Sequence, residues 1–180
     1  MGREVFSSGV IIRAARSGDG AGCARAWSDA GRYLQELDPE LGRVPDSDGL
    51  ADWFERSLAE DRAQGTLWLV AEQGGAVVGF VSASVEPPLP DARWQLQRDL
   101  ASPRLVVGAL VVEQAQRRSG VGTALMEAVE EAGRSAGAEV AMLDTNLRSL
   151  GSVPFYEDRM AYQRRAVIFR KKLGQAREGS

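Results

Sequence analysis

One uninterrupted apolar segment constrains the fold more than any other feature of the sequence. Residues 105–112, which read Leu-Val-Val-Gly-Ala-Leu-Val-Val, contain no polar side chain. They are too few to cross a membrane, since a spanning helix needs about 20 apolar residues. A strand that lacks polar alternation is covered on both of its faces. The segment therefore predicts a central strand, in a sheet that packs between layers of other elements.

The spacing of apolar residues around this segment predicts a mixed α/β domain. The glycine pair at 74–75 predicts a tight hairpin turn between the second and third strands. We find no internal repeat or linker, so we expect one domain over residues 1–173 and a flexible polar tail at 174–180. The predicted order β-α-α-β-β-β-α-β-α-β comprises strands at 10–12, 66–71, 76–85, 105–112, 140–143 and 162–172, and helices at 21–37, 50–65, 120–137 and 152–158.

The composition excludes several kinds of chemistry. The sequence has no histidine and one cysteine, Cys23, so Ser-His-Asp, Cys-His and His-ligated zinc mechanisms are ruled out, and we expect no metal. Cys23 lies on the apolar stripe of the first predicted helix and is expected to be a small buried side chain. A net charge of −3 argues against a nucleic-acid partner. Without an apolar leader or spanning segment, a cytoplasmic protein that does not bind membranes is expected.

A glycine loop carries the clearest chemical signal. Residues 117–123 read Arg-Arg-Ser-Gly-Val-Gly-Thr and stand between the apolar strand and a long predicted helix. Gly120 and Gly122 lack side chains where the first amides of the helix have no intrahelical partner. The positive end of the helix dipole and the two arginines add attraction for an anion. The loop is therefore predicted to bind a phosphate-containing ligand.

Three known kinds of glycine-containing loop can be compared with residues 117–123. A Walker loop is excluded, because no Gly-Lys-Ser/Thr follows the glycines. A dinucleotide fingerprint, with Asp144 as its ribose-binding carboxylate, stays open, although seven residues separate Val112 from Gly120 and Leu125 replaces its third small residue. A turn that only packs the helix on the strand also stays open.

Two motifs in order resemble those of the GNAT acetyltransferase superfamily. Residues 110–122, Leu-x-Val followed by Arg-x-x-Gly-x-Gly, are similar to the family's acyl-coenzyme A pyrophosphate loop, Arg/Gln-x-x-Gly-x-Gly/Ala. Residues 155–162, Phe-Tyr-Glu-x-x-x-Ala-Tyr, resemble its later Phe-Tyr-Glu-x-x-x-Gly-Phe motif. Asn146 precedes Tyr156 by ten residues, whereas seven is common in the family. The predicted order of elements also fits this family along most of the chain.

The resemblance implies a GNAT-like fold whose mixed, mostly antiparallel sheet splays apart between its fourth and fifth strands. It implies an N-acetyltransferase in which an amine attacks acetyl-coenzyme A directly. It also implies a homodimer. The residues implied to bind the coenzyme are Leu110, Val111, Val112, Arg117, Arg118, Ser119, Gly120, Val121, Gly122, Thr123 and Asn146.

The resemblance identifies the catalytic residues less directly than the coenzyme-binding residues. Tyr156 is our candidate general acid, since a phenol with a pKa of about 10 can donate to a developing thiolate. Glu86, at the end of the third strand, and Asp99, before the fourth, are alternative bases. Because neither is an obvious base, a non-catalytic acyl-coenzyme A-binding or regulatory module remains the alternative function.

The acceptor is expected to be an amine on a small molecule or peptide. Residues 36–56 hold seven carboxylates and two arginines. This excess would attract a cationic acceptor such as a polyamine, an aminoglycoside or a lysine side chain. A solvated acidic loop is an equal alternative.

Overall fold

The computed structural model describes residues 9–172. The predicted tail at 174–180 and the two ends of the predicted domain lie outside them. The strands are β1 Val10–Ala14, β2 Leu67–Gln73, β3 Ala76–Glu86, β4 Arg104–Val112 and β5 Val140–Met142. The helices are α1 Gly20–Leu37, α2 Leu50–Ala63, α3 Val121–Ser135 and the single turn α4 Ser152–Pro154, which continues as a π-helical turn over Phe155–Arg159.

The five strands form one sheet in the order β1-β2-β3-β4-β5. The first three pairs are antiparallel and the pair of β4 with β5 is parallel, which confirms the predicted mixed, mostly antiparallel sheet. The predicted glycine turn is also confirmed, since Gly74 and Gly75 have φ of 58° and 82° and join β2 to β3. Two consecutive residues with positive φ match the twist of a two-residue hairpin.

The sheet opens between β4 and β5. Only three residue pairs join these strands, and the last of them is Val106 with Met142. Beyond Val106, that edge of β4 has no strand beside it among residues 9–172. The splay implied by the resemblance is therefore confirmed, and it leaves backbone donors and acceptors of β4 open along one side.

Helices cover both faces of the sheet, as the apolar segment predicts. On one face α3 packs Leu125, Met126 and Val129 against the strands. On the other face α1 and α2 bury Cys23 and Phe54. Burial raises the pKa of the Cys23 thiol to about 12, so this residue is an inert core side chain, as predicted.

A β-bulge in β4 changes which of its residues face each layer. Ala83 pairs with Val107 and Ser82 with Ala109, so Gly108 has no partner in β3. Before the bulge Val107 packs in the α3 layer, and after it Val111 packs in the layer of α1 and α2. An extra residue shifts the two-residue alternation of a strand by one. Odd-numbered residues of β4 therefore face the α3 layer before the bulge and the layer of α1 and α2 after it.

The prediction of a closing strand at residues 162–172 is wrong. These residues pair with no strand in the described part of the chain. Two features explain the difference. β5 has only three residues, so it presents a very short edge, and Ala161 adopts a left-handed φ of 58° that turns the chain just before the segment. The apolar residues that predicted a strand are consequently exposed, Phe169 by 92%.

Candidate active site

The loop between β4 and α3 presents a row of backbone amides without acceptors. Arg118 and Gly120 have positive φ of 64° and 92°, and Gly120 immediately precedes the first residue of α3. Amides 118–123 donate to no other residue in the described part of the chain. Unpaired amides at a helix N-terminus form an anion-binding site. The structure thus places the loop residues at the N-terminus of α3, and their binding of an anion stays a prediction.

Only one of the two glycines is required by the backbone. Any other residue at Gly120 would be strained at its φ of 92°. A Cβ atom at Gly122 would lie 3.7 Å from Phe155 Cζ and 3.8 Å from Val112 Cγ2, which is ordinary contact. Position 122 would therefore accept alanine, so packing of the helix on the strand does not by itself explain both glycines.

The two arginines of the loop differ in their surroundings. Arg117 is half-buried and its Nε donates to the carbonyl of Val112 at 3.1 Å. Arg118 is exposed, and no carboxylate of residues 9–172 pairs with it. The charge of Arg118 is therefore available to an anion, whereas Arg117 ties the loop to the end of β4.

The open edge of β4 borders a large cleft. Its volume of about 2280 Å³ exceeds that of a site for a small ligand. Gly108, Leu110 and Val111 line one side, and the chain after β5 with Tyr156 lines the other. The bulge at Gly108 lies in this wall, and the sequence analysis missed it. An isolated glycine within an apolar strand was the signal that could have revealed it.

Tyr156 lies half-buried on the π-helical turn. Its ring packs edge-on against Phe155 and Tyr162, at centroid distances of 5.0 and 5.9 Å. Burial and, to a smaller degree, the carboxylate of Asp144 raise the pKa of Tyr156 to about 12. The phenol is therefore protonated near neutral pH and can donate a hydrogen bond into the cleft.

A family model decides the classification. The acetyltransferase (GNAT) family matches residues 29–162, which include both motifs and the open edge of β4. The chain belongs to the GNAT acetyltransferase family.

Solved structures share this GNAT fold at low sequence identity. A transcriptional regulator from Bacillus halodurans is 20% identical, with a TM-score of 0.66 over 91% of this chain and 99% of its own. An acetyltransferase from Trypanosoma brucei is 22% identical, with a TM-score of 0.59 and the same coverage. Glucosamine-6-phosphate N-acetyltransferase from Arabidopsis thaliana is 16% identical, with a TM-score of 0.60 over 92% and 99% of the two chains. A comparison with curated proteins returns no significant match.

Asn146 also lines the cleft of this GNAT protein, in a tight turn. Its side-chain oxygen accepts the amide of Arg148 at 2.9 Å, and its carbonyl accepts the amide of Ser149 at the same distance. The oxygen is therefore used locally, while the side-chain NH₂ group is left to donate. The turn and α4 account for the ten residues between Asn146 and Tyr156.

The two predicted bases occupy different surroundings. Glu86 forms an ion pair of 3.1 Å with the buried guanidinium of Arg104 and does not line the cleft. Asp99 is exposed on a short 3-10 turn and does line it. The structure therefore places Asp99, but not Glu86, beside the cleft.

Several carboxylates of the acidic segment at residues 36–56 are occupied by contacts with arginines or backbone amides. Glu55 accepts the amides of Gly18 and Gly20 at 3.0 and 2.6 Å, so it caps the start of α1. Only Asp38 and Glu40 of the seven carboxylates line the cleft. They form loose ion pairs, at 3.7 Å with Arg148 and at 3.9 Å with Arg170. Most of the predicted negative charge thus lies away from the cleft.

Among the helices of residues 9–172, none combines the length and the hydropathy needed to cross a membrane.

Proposed function

We propose that this protein transfers an acetyl group from acetyl-coenzyme A to a primary amine of a small molecule or peptide. One observation carries the proposal: the open edge of β4 runs along the cleft, and the loop of unpaired amides follows β4 after residues 113–117. Membership of the GNAT family supports this reaction class.

The loop suits the diphosphate of the coenzyme, and the strand suits its extended, amide-containing chain. Amides 118–123 and the exposed charge of Arg118 match a diphosphate, which needs several donors and positive charge. The open backbone of β4 can form hydrogen bonds to an extended chain that contains amide groups. The residues that would hold the coenzyme are Leu110, Val111, Val112, Arg117, Arg118, Ser119, Gly120, Val121, Gly122, Thr123 and Asn146.

The coenzyme would supply the acetyl group as an activated thioester. The acceptor nitrogen bonds to the acetyl carbon as the carbon–sulfur bond breaks, and the products are an acetylated amine and a free thiol. Tyr156 would stabilise the departing sulfur with a hydrogen bond. A thiol has a pKa of about 8.5, well below that of this phenol, so the proton stays mainly on Tyr156, and the departing thiolate takes the proton of the product thiol from solvent.

Loss of a proton from the amine requires a base. We propose Asp99 for this role instead of Glu86, because Asp99 lines the cleft and Glu86 is held by Arg104. Asp38 and Glu40 lie in the same cleft, and an acceptor with additional positive charge would bind them by displacing their partners Arg148 and Arg170.

An assay of thiol release across a panel of amines, combined with calorimetry of acetyl-coenzyme A binding, tests the proposal. We expect micromolar or tighter binding and thiol release with at least one cationic amine. Binding without release for any amine would favour a non-catalytic acyl-coenzyme A-binding module. Binding of NAD in place of acetyl-coenzyme A would support the dinucleotide alternative.

A further inference from the structure

The side chain of Asp29, on α1, reaches the segment that leads into the glycine loop. Its Oδ2 atom accepts the backbone amide of Gln114 at 2.6 Å and Nη2 of Arg117 at 3.3 Å. The side chain is only 16% exposed, and its Oδ1 atom also pairs with Arg32 at 3.4 Å. One carboxylate group therefore holds both ends of the segment 114–117, more than 80 residues away in sequence.

Arg117, which pairs with Asp29, also contacts the end of β4. Its Nε donates to the carbonyl of Val112 at 3.1 Å, while its guanidinium lies 5.0 Å from the centre of the Tyr33 ring. The guanidinium thus joins α1 to β4 just before the unpaired amides begin. A charge-assisted pair of this kind fixes geometry more firmly than a neutral hydrogen bond.

We propose that Asp29 is the positioning residue of the anion-binding loop, an inference that rests on the proposed binding of acetyl-coenzyme A. A carboxylate near an anion site would repel the ligand, so attraction cannot explain it. Its contribution is to hold the segment 114–117 in place, so that amides 118–123 need little ordering when the diphosphate binds. Ordering a loop in advance improves affinity because binding no longer bears that entropic cost.

Two substitutions separate the charge of Asp29 from its shape. Asp29→Asn keeps an oxygen that can accept the Gln114 amide but loses the ion pair with Arg117. Asp29→Ala loses both contacts. Glu60→Gln, an exposed change on α2, is the matched control. We expect the KM and Kd for acetyl-coenzyme A to rise roughly tenfold in Asp29→Ala and less in Asp29→Asn, with kcat unchanged in both.

Hydrogen–deuterium exchange of the unliganded protein gives a readout that does not depend on activity. We expect faster exchange over residues 113–117, most of whose amides are hydrogen-bonded, in both variants of Asp29, and unchanged exchange in β2 and β3. Asp29→Ala in an Arg117→Met background should weaken binding less than it does alone, since the pair is already broken.

The outcomes separate the two proposals. A wild-type protein that does not bind acetyl-coenzyme A would reject the proposed function, while the exchange measurement would still test whether Asp29 orders the loop. Wild-type binding together with unchanged Kd in both Asp29 variants would overturn the positioning role. A lower melting temperature with unchanged exchange at 113–117 would also overturn it. If Asp29→Ala does not fold, the near-isosteric Asp29→Asn decides.

Discussion

Tyr156 and Asp144 line the same cleft, and burial together with the nearby negative charge of Asp144 raises the pKa of the Tyr156 phenol to about 12. A phenol in this state keeps its proton throughout the range in which an amine loses one. The hydrogen bond that Tyr156 can donate should therefore not limit activity at moderately alkaline pH.

Replacing Tyr156 with phenylalanine tests that hydrogen bond. Tyr156→Phe should lower kcat by roughly a hundredfold and leave the Kd for acetyl-coenzyme A unchanged, because a positioned proton donor contributes about this much. Steady-state kinetics and calorimetry provide the two values. Tyr162→Phe is the matched control, since the Tyr162 hydroxyl donates to Glu130 at 2.9 Å. An equal loss of kcat in the control would reject a specific role for Tyr156.

Removal of the charge at Asp144 should change the acidity of Tyr156. In Asp144→Asn the phenolate no longer faces a carboxylate, so the pKa of Tyr156 should fall. It should still exceed the ordinary value of about 10, because burial remains the larger cause. Ultraviolet titration of tyrosinate, with Tyr156→Phe subtracted to isolate this residue, measures the shift. An unchanged or higher pKa would contradict the assigned electrostatic contact.

A carboxylate placed among the free amides should compete with a bound diphosphate. Ser119 is exposed and its hydroxyl donates to the carbonyl of Gln116 at 2.6 Å. Ser119→Asp should weaken acetyl-coenzyme A binding roughly tenfold, whereas the isosteric but neutral Ser119→Asn should bind much more tightly than Ser119→Asp. The difference should shrink at high salt, because exposed charges are screened. Equal affinities of the two variants at low salt would argue against an anion at this loop.

The two glycines of the loop should respond differently to alanine. Gly120→Ala places a Cβ on a residue with φ of 92° and should cost about 1–2 kcal/mol of unfolding free energy. Gly122→Ala meets only ordinary contacts in the first turn of α3 and should be neutral or slightly stabilising. Urea unfolding of both variants measures the contrast. Similar losses at both positions would show that the local backbone differs from the one described.

The buried pair of Arg13 and Asp19 should make stability depend on acid. Both oxygens of Asp19 accept Arg13 guanidinium bonds of 2.7 Å. Burial alone would raise the pKa of Asp19, but the bonds from Arg13 and from the Arg16 amide outweigh it, so the pKa is lowered. The resulting stability is complete above the unfolded pKa of about 3.9 and is lost as pH falls through the lower folded value.

Asp19→Asn should therefore cost about 2 kcal/mol near neutral pH, because Arg13 loses one of its two carboxylate partners and keeps its ion pair with Glu72. The difference from wild type should diminish in acid. Urea unfolding at several pH values measures it, with the exposed Asp158→Asn as control. A difference that stays constant down to the acid limit would contradict the lowered pKa.

Local patterns sufficed to predict the layers and the loop, because they depend on residues close in sequence. For example, the helical spacing of apolar residues predicted α3, and the glycines at 74 and 75 predicted the hairpin turn. The final strand could not be predicted correctly from local patterns. A strand forms only beside another strand with an open edge, and β5 is too short to offer a long one. Asp29 was missed for a related reason. Its contact with the loop joins positions distant in sequence, and an acidic residue on a helix gives no sign of which segment it will meet.

Gly108 has a consequence for how this fold tolerates change in chain length. Deleting this one residue would bring β4 into regular register with β3. The side chains of residues 109–112 would then each face the opposite helix layer. Because these residues are all apolar, the exchanged side chains would still be hydrophobic, although of the wrong sizes for their new neighbours. The strand would then remain in the sheet, but different residues would direct their amides toward the cleft, so the register of a bound chain would change.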